Sequence, residues 1–407
     1  MPFFSASEVR TLLAEPAFRR VWGLGAATGI ARWIETLAVG VYTYDATDSA
    51  FIVAAMTLLR MLPLAFLGPV VGALTDRIGH KRVLLAGLAG IFVVVAVLTG
   101  LAWSGLIEVW HLALGALLGG VYWSIDIPVR RSLLGTVSGP ERVAQAMSTD
   151  AATNNITRAV GPALGGLLLA VLGLEGALGV SVLLYGAGVL LMAGLVQPAV
   201  TMMRATAGLW RDIVEGIHYV RRDRSIVGAF SITIVFNVFA FPYTSMIPVI
   251  GRDHLALDSF AVGLLMSAEG TGAFLGALIV IFTARPARYR HIYVFGTCFC
   301  LTMIALFGAS GQYLLSNLAV MLAGAGAGCF SSMQSTIIFL SAPPEARGRL
   351  MGLLSVFIGT GPLGFLHLGW MADRIGATAA TSVMALEGLV VLILAVTIWP
   401  ILRPREG

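Results

Sequence analysis

A few ionisable residues lie inside long apolar stretches of this sequence, where a charge needs a partner or a purpose. Arg32 and Glu35 stand three residues apart, so one helical face would carry both. An ionisable group inside a membrane span costs about 2.5–3.5 kcal/mol on insertion scales, and it usually faces a cavity or a partner. Two interpretations stay open. The two residues form an ion pair within their own helix, or Glu35 takes up and releases a proton.

A second polar pattern consists of Asp150, Asn154 and Arg158, which recur every four residues. On a helix they form one polar stripe that points to the protein interior. The stripe either lines a cavity, with Arg158 holding an anionic or polar group of a ligand, or is structural, with Arg158 paired to Asp150. Asp126 lies before Pro128, and we expect it to pair with Arg130, Arg131 or Arg158 rather than to bind a ligand.

The elements that position these residues must be membrane helices. The 407 residues are 58% hydrophobic and only 12% charged, with a mean hydropathy of +0.90, whereas soluble domains carry about 25% charged residues. Runs of about twenty apolar residues are long enough to cross a bilayer as helices. Twelve spans are predicted, at 19–43, 49–75, 83–104, 107–129, 143–171, 177–199, 226–250, 259–284, 291–310, 314–341, 348–371 and 377–402.

The distribution of positive charge predicts the orientation of these spans. If the amino terminus starts inside the cell, most of the 26 lysines and arginines fall on that side, and only Arg252 and Arg374 fall outside. Retention of positive charge in the cytoplasm produces this asymmetry. We therefore expect a multi-pass protein of a bacterial inner membrane, embedded in the lipid bilayer, with both termini in the cytoplasm.

One long interior loop, 200–225, divides the chain into two groups of six spans. Its apolar residues recur at helical spacing with charges on the other faces, which predicts an amphipathic helix on the inner membrane surface. The predicted organisation is an amino-terminal six-helix bundle at 1–199, this linker, and a carboxy-terminal six-helix bundle at 226–407.

The two groups of spans resemble each other in sequence. The stretch 51–68 aligns with 260–276, and 158–173 aligns with 358–376, with Gly-Pro in both members of the second pair. Two similar six-helix bundles around a central cavity are a common plan for transporters.

The turn at 72–82, GALTDRIGHKR, resembles the loop between helices 2 and 3 of the major facilitator superfamily. The resemblance implies an all-helical membrane fold of two six-helix bundles, with this turn as a conformational gate that holds the cytoplasmic side shut. Its gate residues are Gly72, Asp76, Arg77, Gly79, Lys81 and Arg82. Gly72 is expected to allow close approach of two helices, and Gly79 a tight turn. A shorter echo, GWMADRIGA at 369–377, lies on the opposite side in the predicted topology.

A second resemblance lies in the fifth span. Its residues Gly161, Pro162, Gly165 and Gly166 resemble the core of a motif found in exporters of this superfamily, with Ser148 and Thr157 in place of the upstream glycines. The stretches EPAFRRVW, IPVRRSLLG and EGIHYVRRDRS are similar to the branch that contains macrolide-efflux and enterobactin-exporter-like proteins.

Arg60 and Glu269 occupy equivalent positions in the two halves of the repeat. In the superfamily the second and eighth helices face each other across the bundle interface. The resemblance therefore implies an ion pair between Arg60 and Glu269 in one conformation, which protonation of Glu269 or a charged ligand would break. The alternative is a separate local partner for each.

Weaker candidates for a cavity wall are Asn237 and Gln334, although a lone amide or histidine such as His367 more often bonds a neighbouring helix. The three cysteines lie in predicted spans as packing residues, and no spacing indicates a metal site or a disulfide framework.

These observations favour a secondary transporter that exports a small amphipathic organic molecule by alternating access. We expect proton antiport, with Glu35, Glu269 or Asp150 as the proton carrier. No phosphate-binding loop is present, so ATP is not expected as the energy source. Nucleic acid is not expected as a partner, because the membrane topology accounts for the basic residues. We expect no cofactor, and we expect a monomer. Uptake, transport of a lipid or siderophore, and a non-transporting membrane sensor remain alternatives. An enzyme is not expected, because no HExxH or paired-aspartate pattern and no catalytic residue is found.

Overall fold

The computed structural model describes residues 11–195, 224–341 and 347–399, and every regular element in these ranges is a helix. The α-helices are α1 (Pro16–Thr47), α2 (Ala50–Ile78), α3 (His80–Trp103), α4 (Val109–Ser138), α5 (Val143–Ala193), α6 (Arg224–Val235), α7 (Met246–Asp253), α8 (Ser259–Thr283), α9 (Tyr289–Ala309), α10 (Tyr313–Ser341), α11 (Arg347–Ile358), α12 (Gly361–Ile375) and α13 (Ala377–Ile398). A π-helical turn, Phe236–Ala240, and a 3-10 turn, Phe241–Ser245, join α6 to α7, and a second 3-10 turn, Pro286–Arg288, precedes α9.

Long apolar helices dominate the described part of the chain. Nine helical stretches there are long and apolar enough to cross a membrane. Many of their large apolar side chains stay exposed, such as Val97 and Leu183, as expected of surfaces that face lipid rather than water. This confirms the predicted class, an all-helical multi-pass membrane protein.

Helix α5 is bent at Gly173, which has a φ of +71°. A Cβ atom on this residue would lie 2.8 Å from the carboxylate oxygens of Glu175, so a side chain has neither the conformation nor the space there. The arms on either side, 143–172 and 174–193, each reach roughly 30 Å or more at 1.5 Å per residue. The bend falls where the sequence predicts the break between the spans 143–171 and 177–199.

Two predicted spans are less regular than expected. The span predicted at 226–250 changes from α-helix to a π turn and then to a 3-10 turn around Pro242. The span predicted at 348–371 is interrupted between Ile358 and Gly361. Pro362 stands in the first turn of α12 and has no N–H to continue the hydrogen bonds of α11. Neither stretch is therefore one continuous α-helix, although Ile226–Asp253 as a whole is long and apolar enough to cross a membrane.

The described residues form two compact units. One contains residues up to 39 and from 62 to 195, and the other contains 40–61 and the described residues from 224 onward. Almost all of the predicted linker at 200–225 lies outside the described residues, so a division into two bundles at this loop stays a prediction.

Glycines set the closest helix packing in the second unit. A Cβ on Gly272 or Gly276 of α8 would collide with the backbone of α10 at Met321 and Ala325. Such contact between small residues brings helix backbones together in membranes, where it replaces the hydrophobic driving force. Glu269 lies one turn earlier on the same helix and is only 4% exposed.

Candidate functional site

The exporter-like motif of the fifth span packs α5 against α1. Gly161, Pro162, Gly165 and Gly166 are all buried. A Cβ on Gly161 would lie 2.5 Å from the Cβ of Trp33, and one on Gly165 would lie 2.9 Å from the Cα of Ile34. The motif therefore brings the α1 segment that carries Arg32 and Glu35 directly against α5.

A group of four charges, three of them buried, joins α4 to α5. Arg130 donates from Nε to Asp126 at 3.2 Å, and its Nη1 contacts Asp150. Arg131 donates from Nε to the other oxygen of Asp150 at 3.1 Å. The hydroxyl of Tyr122 donates to Asp126 at 3.4 Å. The predicted pairing of Asp126 with Arg130 is confirmed.

The partners of Asp150 were not found from the sequence. Asp150 is 2% exposed and Arg130 is 4% exposed, so each charge depends on the other for compensation. The basic pair Arg130-Arg131 at the end of the fourth span was the available signal, but it stands twenty residues away in sequence from Asp150 on another helix. Only the packing of α4 on α5 shows the contact.

Arg32 lies between two indole rings. Its guanidinium carbon is 5.5 Å from the ring centre of Trp33 and 5.0 Å from that of Trp123, both within cation–π range. Its Nη2 donates to the side-chain oxygen of Asn154 at 3.4 Å. Arg158 lies over Trp33 from the α5 side, at 5.8 Å. We call Arg32, Trp33, Trp123 and Arg158 the arginine–indole cluster.

The polar stripe of α5 thus faces α1 and α4 within the first unit. Asp150 contacts the two arginines of α4, Asn154 contacts Arg32, and Arg158 lies over Trp33. A small cavity, with room for about one water molecule, lies among Arg32, Asp126, Arg130 and Asn154. Glu35 is 5% exposed on α1, and its part in proton transfer stays a prediction.

The cavity candidates of the second unit are hydrogen-bonded within the helix packing. Gln334 donates from Nε2 to the hydroxyl of Thr233 at 3.2 Å, and Asn237 donates from Nδ2 to the Thr233 carbonyl at 2.9 Å. The Thr233 hydroxyl also meets the Tyr293 hydroxyl at 3.0 Å. His367, expected to bond a neighbouring helix, contacts Glu387 of α13 at 2.9 Å.

The turn at 72–82 has the backbone expected of it. Gly79 has a φ of +89° and separates α2 from α3, which confirms its predicted tight turn. Lys81 donates from Nζ to the carbonyls of Ala193 and Leu195, at 3.1 and 2.6 Å, where α5 ends. A cation at a helix carboxy terminus is favoured by the helix dipole. No sequence pattern predicts this contact, because Lys81 and Leu195 are far apart in the chain.

The remaining residues of the predicted gate are Gly72, Asp76, Arg77 and Arg82. Arg77 and Arg82 are exposed, and the side chain of Asp76 lies outside what the structure describes. Among the described residues no atom lies within 4 Å of a Cβ placed on Gly72. The close helix approach expected at Gly72 is therefore not seen here, and the gate role of the turn stays a prediction.

No group of three or more histidine, cysteine, aspartate or glutamate side chains is arranged to hold a metal ion in the ranges that the structure describes. The buried polar atoms of both units point instead to charge pairing and helix contacts.

The sequence was compared with models of known protein families. A family model described as transmembrane secretion effector matches residues 10–404. The chain belongs to this family. It is a membrane transporter of the major facilitator type, as the turn at 72–82 and the motif of the fifth span indicate.

Curated relatives cover most of the chain. Macrolide efflux protein A of Streptococcus pyogenes is 23% identical over 368 residues, which cover 88% of this chain and 90% of the relative. The staphyloferrin A transporter of Staphylococcus aureus is 23% identical over 364 residues, with the same coverage of 88% and 90%. These matches confirm the similarity to the macrolide-efflux branch.

The fold agrees with that of solved transporters. A crystal structure of a POT family transporter in complex with 5-aminolevulinic acid superposes with a TM-score of 0.77 over 95% of this chain and 96% of that chain, at 11% sequence identity. At this identity the likeness concerns the fold alone.

Proposed function

We propose that this transporter exports a small amphipathic organic compound across a bacterial inner membrane, in exchange for protons, by alternating access. The chain crosses the membrane twelve times in two six-helix bundles, works as a monomer, and has both termini in the cytoplasm. The positive-inside distribution of Lys and Arg and the family membership support this arrangement.

The observation that carries the substrate class is the arginine–indole cluster. Trp33 and Trp123 offer broad apolar faces, and the guanidinium groups of Arg32 and Arg158 lie within 6 Å of them. An amphipathic molecule presents the same combination of an apolar body and one polar group. The indole nitrogens of Trp33 and Trp123 are buried without an acceptor in the described residues, so a ligand with an acceptor group would satisfy them.

Proton coupling rests on the buried carboxylates. Glu35, Asp150 and Glu269 are 5%, 2% and 4% exposed. Asp150 is paired with two arginines, and Glu35, Glu269 and Asp150 are the three candidate proton carriers.

The experiment is a transport assay in proteoliposomes with an imposed pH gradient and a pH-sensitive dye inside. Hydrophobic cations, macrolides and siderophores are added one at a time to vesicles with the wild type, Glu35→Gln, Glu269→Gln or Asp150→Asn. We expect one compound to move protons through the wild type, and one of the three substitutions to abolish this flux while compound binding persists. Compound transport without any proton movement would contradict antiport.

A second candidate is transport of a siderophore-like or lipid-like molecule, or uptake instead of export. The relative named as a staphyloferrin A transporter supports this alternative. The same vesicles distinguish export from uptake. If the protein is an exporter, compound supplied at its cytoplasmic face should be carried to the opposite face when the pH gradient is imposed.

A further inference from the structure

The four residues Asp-Arg-Ile-Gly occur twice and form the same backbone turn. At Gly79 the backbone angles are 89° and 148°, between α2 and α3. At Gly376 they are 84° and 150°, between α12 and α13. The echo at 369–377 is therefore a structural repeat of the turn at 72–82, on the side that the predicted topology places outside the cell.

In the second turn the aspartate caps another helix. Asp373 accepts hydrogen bonds from the Ser49 hydroxyl at 3.1 Å and from the backbone N–H of Phe51 at 3.0 Å. These groups form the first turn of α2, where backbone N–H groups have no partner within the helix. A carboxylate is also favoured there by the positive end of the helix dipole. Asp373 therefore ties the carboxy-terminal end of α12 to the start of α2.

A second polar contact ties α1 to α7 near the same end. Arg252 donates from Nε and Nη2 to the two oxygens of Asp45, at 2.9 and 2.5 Å. Its Nη1 donates to the carbonyl of Leu257 at 3.0 Å, which fixes the side chain to its own loop. Two parallel hydrogen bonds between guanidinium and carboxylate give the contact a defined geometry.

Small residues on the same helices, within about one turn or two of these contacts, allow the helices to pack closely. A Cβ on Gly369 would lie 2.9 Å from the Cβ of Ala54 and 3.1 Å from the Cα of Phe51. Ala54 is only 1% exposed. A Cβ on Gly40 would lie 3.2 Å from Pro248. Helix α2 is thus packed against α12, and α1 against α7, with no room between them.

We propose that Asp373 with the start of α2, and Asp45 with Arg252, form a latch that holds the outer side of the transporter closed. The inference rests on the proposed alternating access. Asp373 and Asp45 are exposed, so each contact is individually weak, which suits a closure that must open in every cycle. The two arginines predicted to lie outside the cell are both at these contacts. Arg252 is part of the latch. Arg374 lies over Trp370 of its own helix at 4.1 Å, next to Asp373.

The test measures how often α2 and α12 separate. In a variant without Cys298, Cys300 and Cys329, Ala54→Cys places one thiol at the closed contact. A membrane-impermeant maleimide is applied to intact cells, and the labelling rate is measured. Asp373→Asn is expected to raise the rate about two- to tenfold, the size of an exposed charge contact at a helix end. Asp373→Glu should bring it back toward the starting value.

A matched control removes a neighbouring carboxylate that belongs to the α1–α2 connection. Asp48 has a φ of +50°, a conformation that asparagine tolerates well, so Asp48→Asn should leave the rate unchanged. Asp45→Arg and Arg252→Asp should each raise the rate, and the two together should lower it again. Equal rates for Asp373→Asn, Asp48→Asn and the parent would overturn the latch.

A variant that forces α2 and α12 apart distinguishes an error in the proposed latch from an error in the proposed alternating access. We call it the wedge variant. Gly369→Leu places a side chain where Ala54 and Phe51 lie, and it should force labelling without involving Asp373. If this variant, checked for cell-surface expression, is labelled and Asp373→Asn is not, the latch is wrong and alternating access stands. If the expressed wedge variant is not labelled either, alternating access at this contact is contradicted.

Discussion

Arg130 organises the buried charges of the first unit. It is 4% exposed and contacts both Asp126 and Asp150, whereas the adjacent Arg131 has a 46% exposed side chain and contacts Asp150. Its pairing with Asp126 was predictable, because residues four apart share a helix face. Its pairing with Asp150 was not, because periodicity carries no information about which helices pack together.

The two arginines give a matched pair of variants. Arg130→Gln leaves two buried carboxylates without their shared cation, and breaking a buried pair in this way costs about 3–5 kcal/mol. Arg131→Gln removes one half-exposed partner and should cost about 1 kcal/mol or less. Thermal unfolding in detergent, followed by a thiol-independent dye, should show a much larger fall in Tm for Arg130→Gln. Equal shifts would mean that the charge group does not stabilise α4 against α5.

At the scale of the helices, apolar runs predicted where helices occur better than they predicted whether each helix is continuous. The bend of α5 at Gly173 coincides with a predicted gap between spans. The irregular turns at 236–245 and the break before Gly361 lie inside runs that stay apolar throughout. Hydropathy cannot register such breaks, and the prolines Pro242 and Pro362 were the local signal for both.

Glycines on α5 differ in what a side chain would meet, and this predicts opposite tolerance on one helix. A Cβ on Gly165 would press on the backbone of Ile34, at 2.9 Å from Cα and 3.1 Å from the carbonyl oxygen. A Cβ on Gly179 would make an ordinary 3.8 Å contact with Thr99. Gly165→Ala should therefore cost about 1–3 kcal/mol, as overpacking does, and reduce transport.

Gly179→Ala is the control, and it should be neutral or slightly stabilising because alanine favours helix over glycine. Both are measured by Tm in detergent and by transport rate at equal membrane abundance. Loss of Tm in both variants, or in neither, would show that the exporter-like motif does not set the distance between α1 and α5.

At the scale of the molecule, the family could be predicted from the sequence, because the short turn at 72–82 matches the family motif at several residues. The candidate site was reachable only in part. Charges such as Arg32 and Asp150 stand out because an apolar run makes them costly, but their partners Trp123, Asn154 and Arg130 lie on other helices. The capping role of Asp373 likewise joins residues 322 apart in the chain, which no local pattern encodes.

The predicted ion pair between Arg60 and Glu269 belongs to this largest scale, because it would connect the equivalent helices of the two repeats. Arg60→Glu and Glu269→Arg each place like charges together in an apolar setting, so each should reduce transport at least tenfold. The charge-swapped double variant restores opposite charges and should recover a measurable part of that loss, since residues in direct contact show non-additive effects. Uptake into inverted vesicles, normalised to the amount of folded transporter, measures all three. The neutral double variant, Arg60→Gln with Glu269→Gln, separates pairing from coupling. If the pair only holds the conformation, this variant should still move protons with the compound, whereas transport without proton movement would assign the coupling to Glu269. No recovery in the swapped variant would mean that each residue has its own local partner, and Glu269 would then act alone.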